Sequence, residues 1–301
     1  MSQYTQRVHR FVSNDFTVRV AAVNATEVVR EMQILQQTYP LPTVAVGRAM
    51  VGALLMASHF KDGQKIGVYF KGNGPMGHIY AEANFDGSVR GYTPHQQYQP
   101  ESYDHQLSLK SSIGSGYLIV DRHQPFQRQP HQATVDLKTS EIGDDIAYYL
   151  HQSHQIRSIV SLGVYLDSLG KVLAAGGLIV EVMPGVEDQI VEILEKNYEK
   201  NKAAISPALL QGKNAADLVA PFLEGIPFTE VPHDYPIKYS CPCTKDRVMA
   251  AMTTFGADGL QEILDDQEDV SITCQMCGRP YEVTLKEIKD LQSSLATGSV
   301  H

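Results

Sequence analysis

Two short stretches, Cys241-Pro242-Cys243 and Cys274-Gln275-Met276-Cys277, contain all four cysteines of this 301-residue chain. Together they supply four thiolates, which is the number of ligands that a tetrahedral zinc ion accepts. Residues 236–295, which contain both stretches, have few large apolar side chains. A segment this short cannot fold on a hydrophobic core alone. Bound zinc contributes roughly 10–16 kcal/mol to the folding of such units. The spacing therefore predicts one Zn²⁺ per chain, held by Cys241, Cys243, Cys274 and Cys277 while these thiols are reduced.

The same spacing leaves two roles open for the site. One is a plain structural zinc ion, although zinc ribbons commonly use two Cys-x-x-Cys pairs and here the first pair is Cys-x-Cys. The other is a switch, because thiolates on zinc are poised nucleophiles towards peroxide or hypochlorite. Oxidation of either pair removes two zinc ligands. The cysteine-containing segment then loses the free energy of zinc binding that folds it. His233 is a further candidate ligand, but four cysteines already fill a tetrahedral shell.

Composition and charge narrow the function classes. The chain is 43% hydrophobic and 20% charged, which is typical of a soluble globular protein. Its net charge of -9 argues against a general nucleic-acid binder, since that function needs clustered Lys and Arg. The polar stretch from Met1 to Arg10 has no signal-peptide core, and the apolar stretch from Val44 to Phe60, interrupted by Arg48, predicts a buried helix and no membrane span. We therefore expect a cytoplasmic protein whose thiols stay reduced.

A sheet-rich domain is predicted for residues 1–184. Apolar alternation from Phe16 to Val23 indicates a strand. A helix from Val28 to Thr38 follows, and Asn24 with Glu27 resembles a capping box at its start. Pro40 and Pro42 are expected to end this helix, before the apolar helix that begins at Val44.

In the rest of this domain, apolar residues mostly recur at every second position, which predicts strands between Ile66 and Val182. The alternating sets are Ile66/Val68/Phe70, Ile79/Ala81/Ala83/Phe85 and Tyr117/Ile119, and Val160–Leu166 and Leu178–Val182 are predicted as closing strands. One helix, Gly143 to His154, interrupts them. The glycines of Gly72-Asn-Gly-Pro-Met-Gly77 match a dinucleotide-binding fingerprint, but a strand-like stretch follows where that fingerprint needs a helix, so we predict a sheet turn.

Residues 185–235 are predicted to form a helical linker. Helices are expected at Glu187–Tyr198, Ser206–Leu210 and Ala215–Leu223, followed by a stiff connector that contains Pro227, Pro232 and Pro236. The apolar residues of these helices need a partner, and we expect them to pack on the sheet-rich domain: Ile190, Ile193, Leu194, Leu218 and Phe222.

Residues 236–295 form the predicted cysteine module, with a tail at 296–301. Helices at Thr244–Phe255 and Asp258–Asp266 precede a hairpin, Val270–Thr273 and Tyr281–Val283, whose tip carries the second cysteine pair. Thr284 and Glu287 indicate a capping box for a last helix that ends near Leu295. The expected fold class is α+β: a sheet-rich N-terminal domain with packed helices, a helical linker and a small zinc-binding α/β module.

The chain closely resembles the redox-regulated holdase chaperones of the bacterial 33-kilodalton heat-shock protein (33 kDa chaperonin) family. Beyond the two cysteine pairs and their spacing, the resemblance rests on three segments of the first domain: Gly72-Asn-Gly-Pro-Met76, Ile142-Gly-Asp-Asp-Ile-Ala-Tyr-Tyr-Leu150 and Ala174-Ala-Gly-Gly-Leu-Ile-Val-Glu-Val-Met-Pro184. It covers nearly the whole chain.

This resemblance implies a mechanism. The reduced protein is an inactive monomer with zinc on the four thiolates, and oxidants form the disulfides Cys241–Cys243 and Cys274–Cys277 and expel zinc. The module unfolds, the linker is destabilised, and apolar surface becomes available to unfolding clients without ATP; the oxidised form tends to be a homodimer. Such a protein is a chaperone and is not an enzyme. Four cysteines allow three pairings, and the short gaps within each pair favour local disulfides once the module is unfolded.

Two other functions stay open on the residues alone. A thiol–disulfide oxidoreductase would use the same pairs, but that class usually places Cys-x-x-Cys at a helix N-terminus in a βαβ unit. A zinc-ribbon nucleic-acid module would need a basic stripe, whereas this module carries an acidic run from Glu262 to Asp269.

Overall fold

The computed structural model of the chain describes residues 6–100, 109–127, 129–232 and 235–296. It divides into two compact units, Met1–Ser240 and Cys241–His301. The elements of the first unit, in chain order, are β1 (Val8–Ser13), β2 (Val18–Asn24), α1 (Thr26–Gln36), α2 (Pro40–Ala57), β3 (Lys65–Gly72), β4 (His78–Asn84), β5 (Ser88–Tyr92), α3 (Lys110–Ile113), β6 (Gly116–His123), β7 (His131–Asp136), α4 (Ile142–His154), β8 (Ser158–Leu166), β9 (Val172–Val182), α5 (Asp188–Asn201), α6 (Ile205–Leu210), α7 (Ala215–Val219), β10 (Phe228–Val231) and β11 (Lys238–Tyr239).

Two sheets form the first unit. One has the strand order β10-β1-β2-β9-β8 and the other β11-β5-β4-β3-β6-β7. The pairings are antiparallel except that of β11 with β5. The main core lies between the two sheets and contains α2, in which Val44, Met50, Leu54 and other side chains are fully buried. The mixed helix-and-sheet architecture confirms the predicted α+β class.

The five-stranded sheet is covered on both faces. Residues of alternate parity on β2 enter different cores: Ala21 and Val23 join the main core, whereas Val20 and Ala22 join a second core. This double burial explains why β2 reads as a nearly continuous apolar run instead of a clean alternation. The second core is filled from the other side by the segment predicted as a linker.

The linker helices pack on that outer face of the sheet, as expected. Leu194, Leu218 and Phe222 are buried in the second core, and Ile190 and Ile193 pack against it half-buried. Their partners on the sheet include Phe11, Val18, Leu178 and Val180. The fold thus places an apolar face of the five-stranded sheet beneath helices α5, α6 and α7. In the sequence, these helices precede the cysteines.

The proline-rich connector differs from the prediction. It is not a free-standing spacer, because β10 pairs with β1 and β11 pairs with β5. Neither β1 nor β10 was predicted from the sequence. The half-buried His9 and Arg10 break the alternation of β1, and its partner β10 is a short strand between prolines more than two hundred positions along the chain.

Three further local predictions are wrong. Pro40 begins α2 at its first turn, where a missing N–H costs nothing, so Pro40 and Pro42 start this helix instead of ending the previous one. Asn24 and Glu27 form no capping box; Asn24 Oδ1 instead accepts hydrogen bonds from Thr26. On β6 the buried residues are Leu118 and Val120, so Tyr117 and Ile119 belong to the outward face.

One helix passes a simple test for membrane spans. α2 has 18 residues with a mean hydropathy of 1.4, and 83% of that window is buried. Core helices of soluble proteins pass the same test when, as here, the protein itself covers the apolar surface.

The second unit is small. Its elements, in chain order, are α8 (Lys245–Met252), a 3₁₀ turn (Thr253–Phe255), α9 (Gly256–Asp265), β12 (Val270–Thr273), β13 (Pro280–Val283) and α10 (Leu285–Ala296). The predicted capping box is present, since Thr284 N and Oγ1 donate to Glu287 Oε2 and Glu287 N donates to Thr284 Oγ1. The buried core consists of Met252, Leu260, Leu264, Val283 and Ile288, with half-buried residues around it.

Candidate metal centre

The second cysteine pair lies at the tip of the β12–β13 hairpin. Cys274 N donates to Arg279 O at 2.9 Å, which closes the hairpin beyond the last strand pair, Thr273 with Pro280. Gly278 N donates to Cys274 O at 2.8 Å, and Gly278 has a φ of +72°, a conformation that glycine adopts without strain. This tight return directs both sulfurs to one side of the tip, as predicted for a zinc knuckle.

The first pair lies in the segment that leads into α8. Thr244 is the N-cap of this helix, because its Oγ1 accepts a hydrogen bond from Arg247 N at 3.3 Å. Cys243 is therefore the residue immediately before the N-cap of α8. Lys245 Nζ lies 2.6 Å from Glu287 Oε1, so an ion pair joins the start of α8 to the start of α10.

The four sulfurs meet at one point. Their Sγ atoms all lie within 4.8 Å of one another. Cys241 Sγ is 4.0 Å from Cys274 Sγ, and Cys243 Sγ is 3.4 Å from Cys277 Sγ. In a regular tetrahedron with Zn–S bonds of about 2.3 Å, the sulfurs are about 3.8 Å apart. The four predicted residues are thus brought together with spacing and donor chemistry that fit a zinc ion, and none of the four forms a disulfide in this structure.

Tyr281 adds a contact that sequence reasoning missed. Its hydroxyl lies 3.0 Å from both Cys243 Sγ and Cys243 O and donates to them. Such outer contacts orient a metal ligand and tune its basicity. Tyr281 could have been noticed as the second residue of the returning strand β13, just after the cysteine tip, but linking it to Cys243 requires the fold.

The thiols differ in their readiness to ionise. Burial acts to raise the pKa of Cys243, but hydrogen bonds from Tyr281 and the neighbouring thiols outweigh it and lower the pKa to about 7. Burial raises the pKa of Cys277 well above its usual range and also raises that of Cys274. The site itself therefore readily carries one negative charge, and four close thiolates need a bound cation to compensate them.

No other group of three or more metal-binding side chains is assembled within the described ranges. His233, the alternative ligand, lies outside the described residues. The glycine-rich stretch before Gly77 joins β3 to β4 as the predicted sheet turn, with Gly77 N donating to Gly74 O.

A polar clasp holds the linker helices together beside the second core. Asn197 on α5 is 7% exposed, and its Nδ2 donates to Phe222 O at 3.2 Å and to Glu224 O at 2.8 Å. Asn201 Nδ2 donates to Pro221 O at 3.0 Å. These bonds tie α5 to the turn after α7, so the linker packs as one assembly.

Comparison with known proteins gives a consistent result. The family model described as Hsp33 protein matches residues 6–284. The 33 kDa chaperonin of Thermodesulfovibrio yellowstonii is 37% identical over 284 residues, which cover 94% of this chain and 97% of that protein. The 33 kDa chaperonin of Synechococcus elongatus is 34% identical over 286 residues, which cover 94% and 95%.

A solved structure extends this similarity to the fold. The crystal structure of the 33 kDa chaperonin (heat shock protein 33 homolog) from Thermotoga maritima matches with a TM-score of 0.87 and 28% identity, covering 97% of this chain and 99% of that one. The resemblance inferred from the sequence is therefore confirmed across nearly the whole chain.

Proposed function

The chain belongs to the Hsp33 protein family, and we propose that it is a redox-regulated, ATP-independent holdase chaperone that binds unfolding proteins and prevents their aggregation under oxidative stress. The observation that carries the proposal is that a four-thiol site follows, in the sequence, a linker that covers an apolar sheet face.

In the reduced state, Cys241, Cys243, Cys274 and Cys277 hold one Zn²⁺ and the protein is inactive. The ion supplies folding free energy to the module, roughly 10–16 kcal/mol in comparable peptides. Five buried apolar side chains are a small core for such a unit, which supports its dependence on the site. Tyr281 and the hairpin tip keep the sulfurs in the geometry that the ion needs.

In the oxidised state, Cys241 pairs with Cys243 and Cys274 with Cys277. Each disulfide forms as two thiolates lose two electrons, which together with two protons from solvent reduce one peroxide molecule to two water molecules. Two disulfides leave no thiolate to hold the ion, so the module loses the contribution that folds it. The module then unfolds, and the linker, residues 185–235, is destabilised.

Release of the linker makes the apolar face of the five-stranded sheet available. The residues under the linker, among them Phe11, Val18, Leu178 and Val180, are buried only while the linker helices cover them. Exposed apolar surface of this kind binds unfolding proteins without a nucleotide cycle. The partners are therefore unfolded or aggregation-prone proteins and, in the oxidised form, a second copy of the chain; nucleic acids and membranes are not expected, and the setting is the cytoplasm.

The test follows two signals in one sample. Light scattering of a heat-unfolding client is recorded with reduced and with peroxide-treated protein, while a chromogenic chelator reports zinc release. We expect suppression of aggregation only after oxidation, with one zinc released per chain. Equal activity in both states, or a reduced protein without zinc bound to four sulfurs by X-ray absorption, contradicts the proposal.

One observation favours the rival oxidoreductase function. Cys243 directly precedes Thr244, the N-cap of α8, and its pKa of about 7 is typical of a reactive thiol. However, the Cys-x-x-Cys pair lies on a hairpin tip between β12 and β13 and does not itself begin a helix. Catalytic turnover of a small disulfide substrate by the zinc-free protein would distinguish this function from that of a holdase.

A further inference from the structure

One edge of each sheet in the first unit is covered by the same piece of chain. We call residues 227–232 together with 235–240 the strap. Its β10 pairs with β1 in the register Arg10 with Val231 and Ser13 with Phe228. Its β11 pairs with β5, and Ser240 N donates to Val89 O at 3.0 Å. The strap ends at Ser240, so the residue after it is the first cysteine.

The strap satisfies the outer hydrogen-bonding groups along β1. Asn14 N donates to Pro227 O at 2.9 Å, Val8 N donates to Tyr235 O at 3.0 Å, and Ile237 N donates to Gln6 O at 2.8 Å. The alternation of an antiparallel ladder puts the amides of Arg10 and Val12 on this same edge. Without the strap, β1 would be an open edge over its whole length, and open edges pair with other chains.

The β10 part of the strap is held mainly through its backbone. Thr229, Glu230 and Val231 are exposed, and Phe228 is half-buried. The ring of Phe228 packs edge-to-face on that of Phe11, with centroids 5.7 Å apart. Glu230 also pairs with His9, with Oε1 2.7 Å from Nδ1. An extended segment of almost any sequence can reproduce such pairing if it offers one large apolar side chain for Phe11.

The following part of the strap is anchored by side chains. Tyr235 and Ile237 are 4% and 7% exposed in the main core, and Tyr235 Oη donates to Asn84 O at 2.5 Å. A Cβ on Gly87 would lie 1.9 Å from Pro236 O, so the strap approaches the backbone of the β4–β5 turn closely. This anchor lies between β10 and the cysteines, so β10 stays in place while residues 235–240 are seated.

We infer that the strap is an internal occupant of a client-binding edge, and that in the oxidised protein the outer edge of β1 takes up an extended, apolar segment of an unfolding client by strand addition. The inference rests on the proposed function and deepens it by naming the surface and the form of the bound segment. Main-chain pairing gives affinity with little sequence preference, which suits a protein that must hold many clients. The segment replaces β10, with an aromatic or large aliphatic residue against Phe11.

Hydrogen exchange of the full-length protein tests this assignment. The amides of Val8, Arg10, Val12 and Asn14 face the strap and report on the edge. We expect them to be protected in the reduced protein, to exchange at least about tenfold faster after oxidation, and to regain protection when carboxymethylated, permanently unfolded α-lactalbumin is added.

A peptide supplies the matched control. A labelled peptide with the sequence of residues 225–232 should bind the oxidised protein and compete with α-lactalbumin. The same peptide with N-methyl groups at the positions of Thr229 and Val231, whose N–H groups face β1, should bind at least about tenfold more weakly. Equal binding of the two peptides overturns the inference.

Other outcomes separate this inference from the chaperone function. If oxidised protein suppresses client aggregation but the four amides stay unprotected with client bound, the edge assignment is wrong and the holdase proposal stands. If protection returns without client as protein concentration rises, a second copy fills the edge and the inference fails. If oxidised protein does not suppress aggregation at all, both fail.

Discussion

Cys243 Sγ lies 3.4 Å from Cys277 Sγ, so the folded module brings into contact two thiols from different pairs. Cys241 and Cys274 are likewise 4.0 Å apart across the pairs. If the thiols were oxidised while the module is folded, crossed disulfides, Cys241–Cys274 and Cys243–Cys277, could therefore form. The local disulfides that we propose, Cys241–Cys243 and Cys274–Cys277, are favoured when the module opens, because the intervening loops are then very short.

The disulfide pairing is the first prediction. Peptide mapping after peroxide treatment should give Cys241–Cys243 and Cys274–Cys277 as the main products. If a crossed Cys243–Cys277 disulfide dominates, the thiols reacted while the module was folded, and oxidation did not act through unfolding.

The contact between Tyr281 and Cys243 gives the second prediction. Tyr281→Phe removes a hydrogen bond to the sulfur and one to the carbonyl oxygen of Cys243. Loss of such an outer contact typically weakens metal binding by about 10–100-fold. Competition with a chromogenic chelator at fixed pH measures this change. Tyr165→Phe, at a 45% exposed position of the first unit, is the control and should leave zinc affinity unchanged; equal affinities for all three proteins would show that the contact has no role.

The linker clasp gives the third prediction. Asn197→Ala leaves the carbonyl groups of Phe222 and Glu224 without this donor, at a cost of about 1–3 kcal/mol to linker packing. The variant should need less peroxide or a lower temperature to suppress client aggregation. Glu192→Ala, at an exposed position of the same helix, controls for helix propensity. An unchanged threshold for Asn197→Ala would mean that linker packing does not limit activation.

The strap gives a prediction on pH. Burial raises the pKa of Tyr235 above its ordinary value of 10.0. The folded protein thus keeps this proton more tightly than the unfolded chain, so the stability linked to it is fully present below pH 10.0 and is lost as the pH rises through the folded pKa. Tyr235→Phe should cost about 1 kcal/mol at neutral pH through the lost bond to Asn84 O.

Above pH 10 that cost should shrink, because the wild-type protein loses stability more steeply than the phenylalanine variant. Denaturant unfolding from pH 7 to about pH 11 measures the difference. Tyr165→Phe again serves as the exposed control. The difference in the free energy of unfolding between Tyr235→Phe and wild type should therefore change with pH. A constant difference across this range would contradict the raised pKa of a buried Tyr235 hydroxyl.

The sequence predicted those parts of the molecule that depend on local spacing. The two cysteine pairs, the hairpin between them and the capping box at Thr284 and Glu287 are each set by residues close together in the chain. The apolar linker residues also predicted a buried face. What they cover, however, follows only from the packing of the fold, in which both faces of β2 are buried.

The sequence did not predict features that depend on distant partners. β1 and β10 stabilise each other across most of the chain, and neither has a strong strand pattern alone. The parity error on β6 has a similar cause, since strand-favouring residues occur at both parities, as Ile119 and Val120 do, and only the packing decides which set faces the core. Tyr281 was missed because its partner, Cys243, precedes it in the chain by two helices and a strand.

The central claim is that the cysteine module restrains the linker, and breaking the thiol site should therefore activate the protein without oxidant. The most direct measurement is light scattering of a heat-unfolding client under reducing conditions, with full-length protein carrying Cys274→Ser and Cys277→Ser. A full-length variant suits this test better than truncation after Tyr235, because Ile237 and β11 belong to the first unit. We predict suppression of aggregation by the variant and none by reduced wild type. If the first unit of the variant stays folded and aggregation proceeds as with the reduced wild type, the claim is wrong.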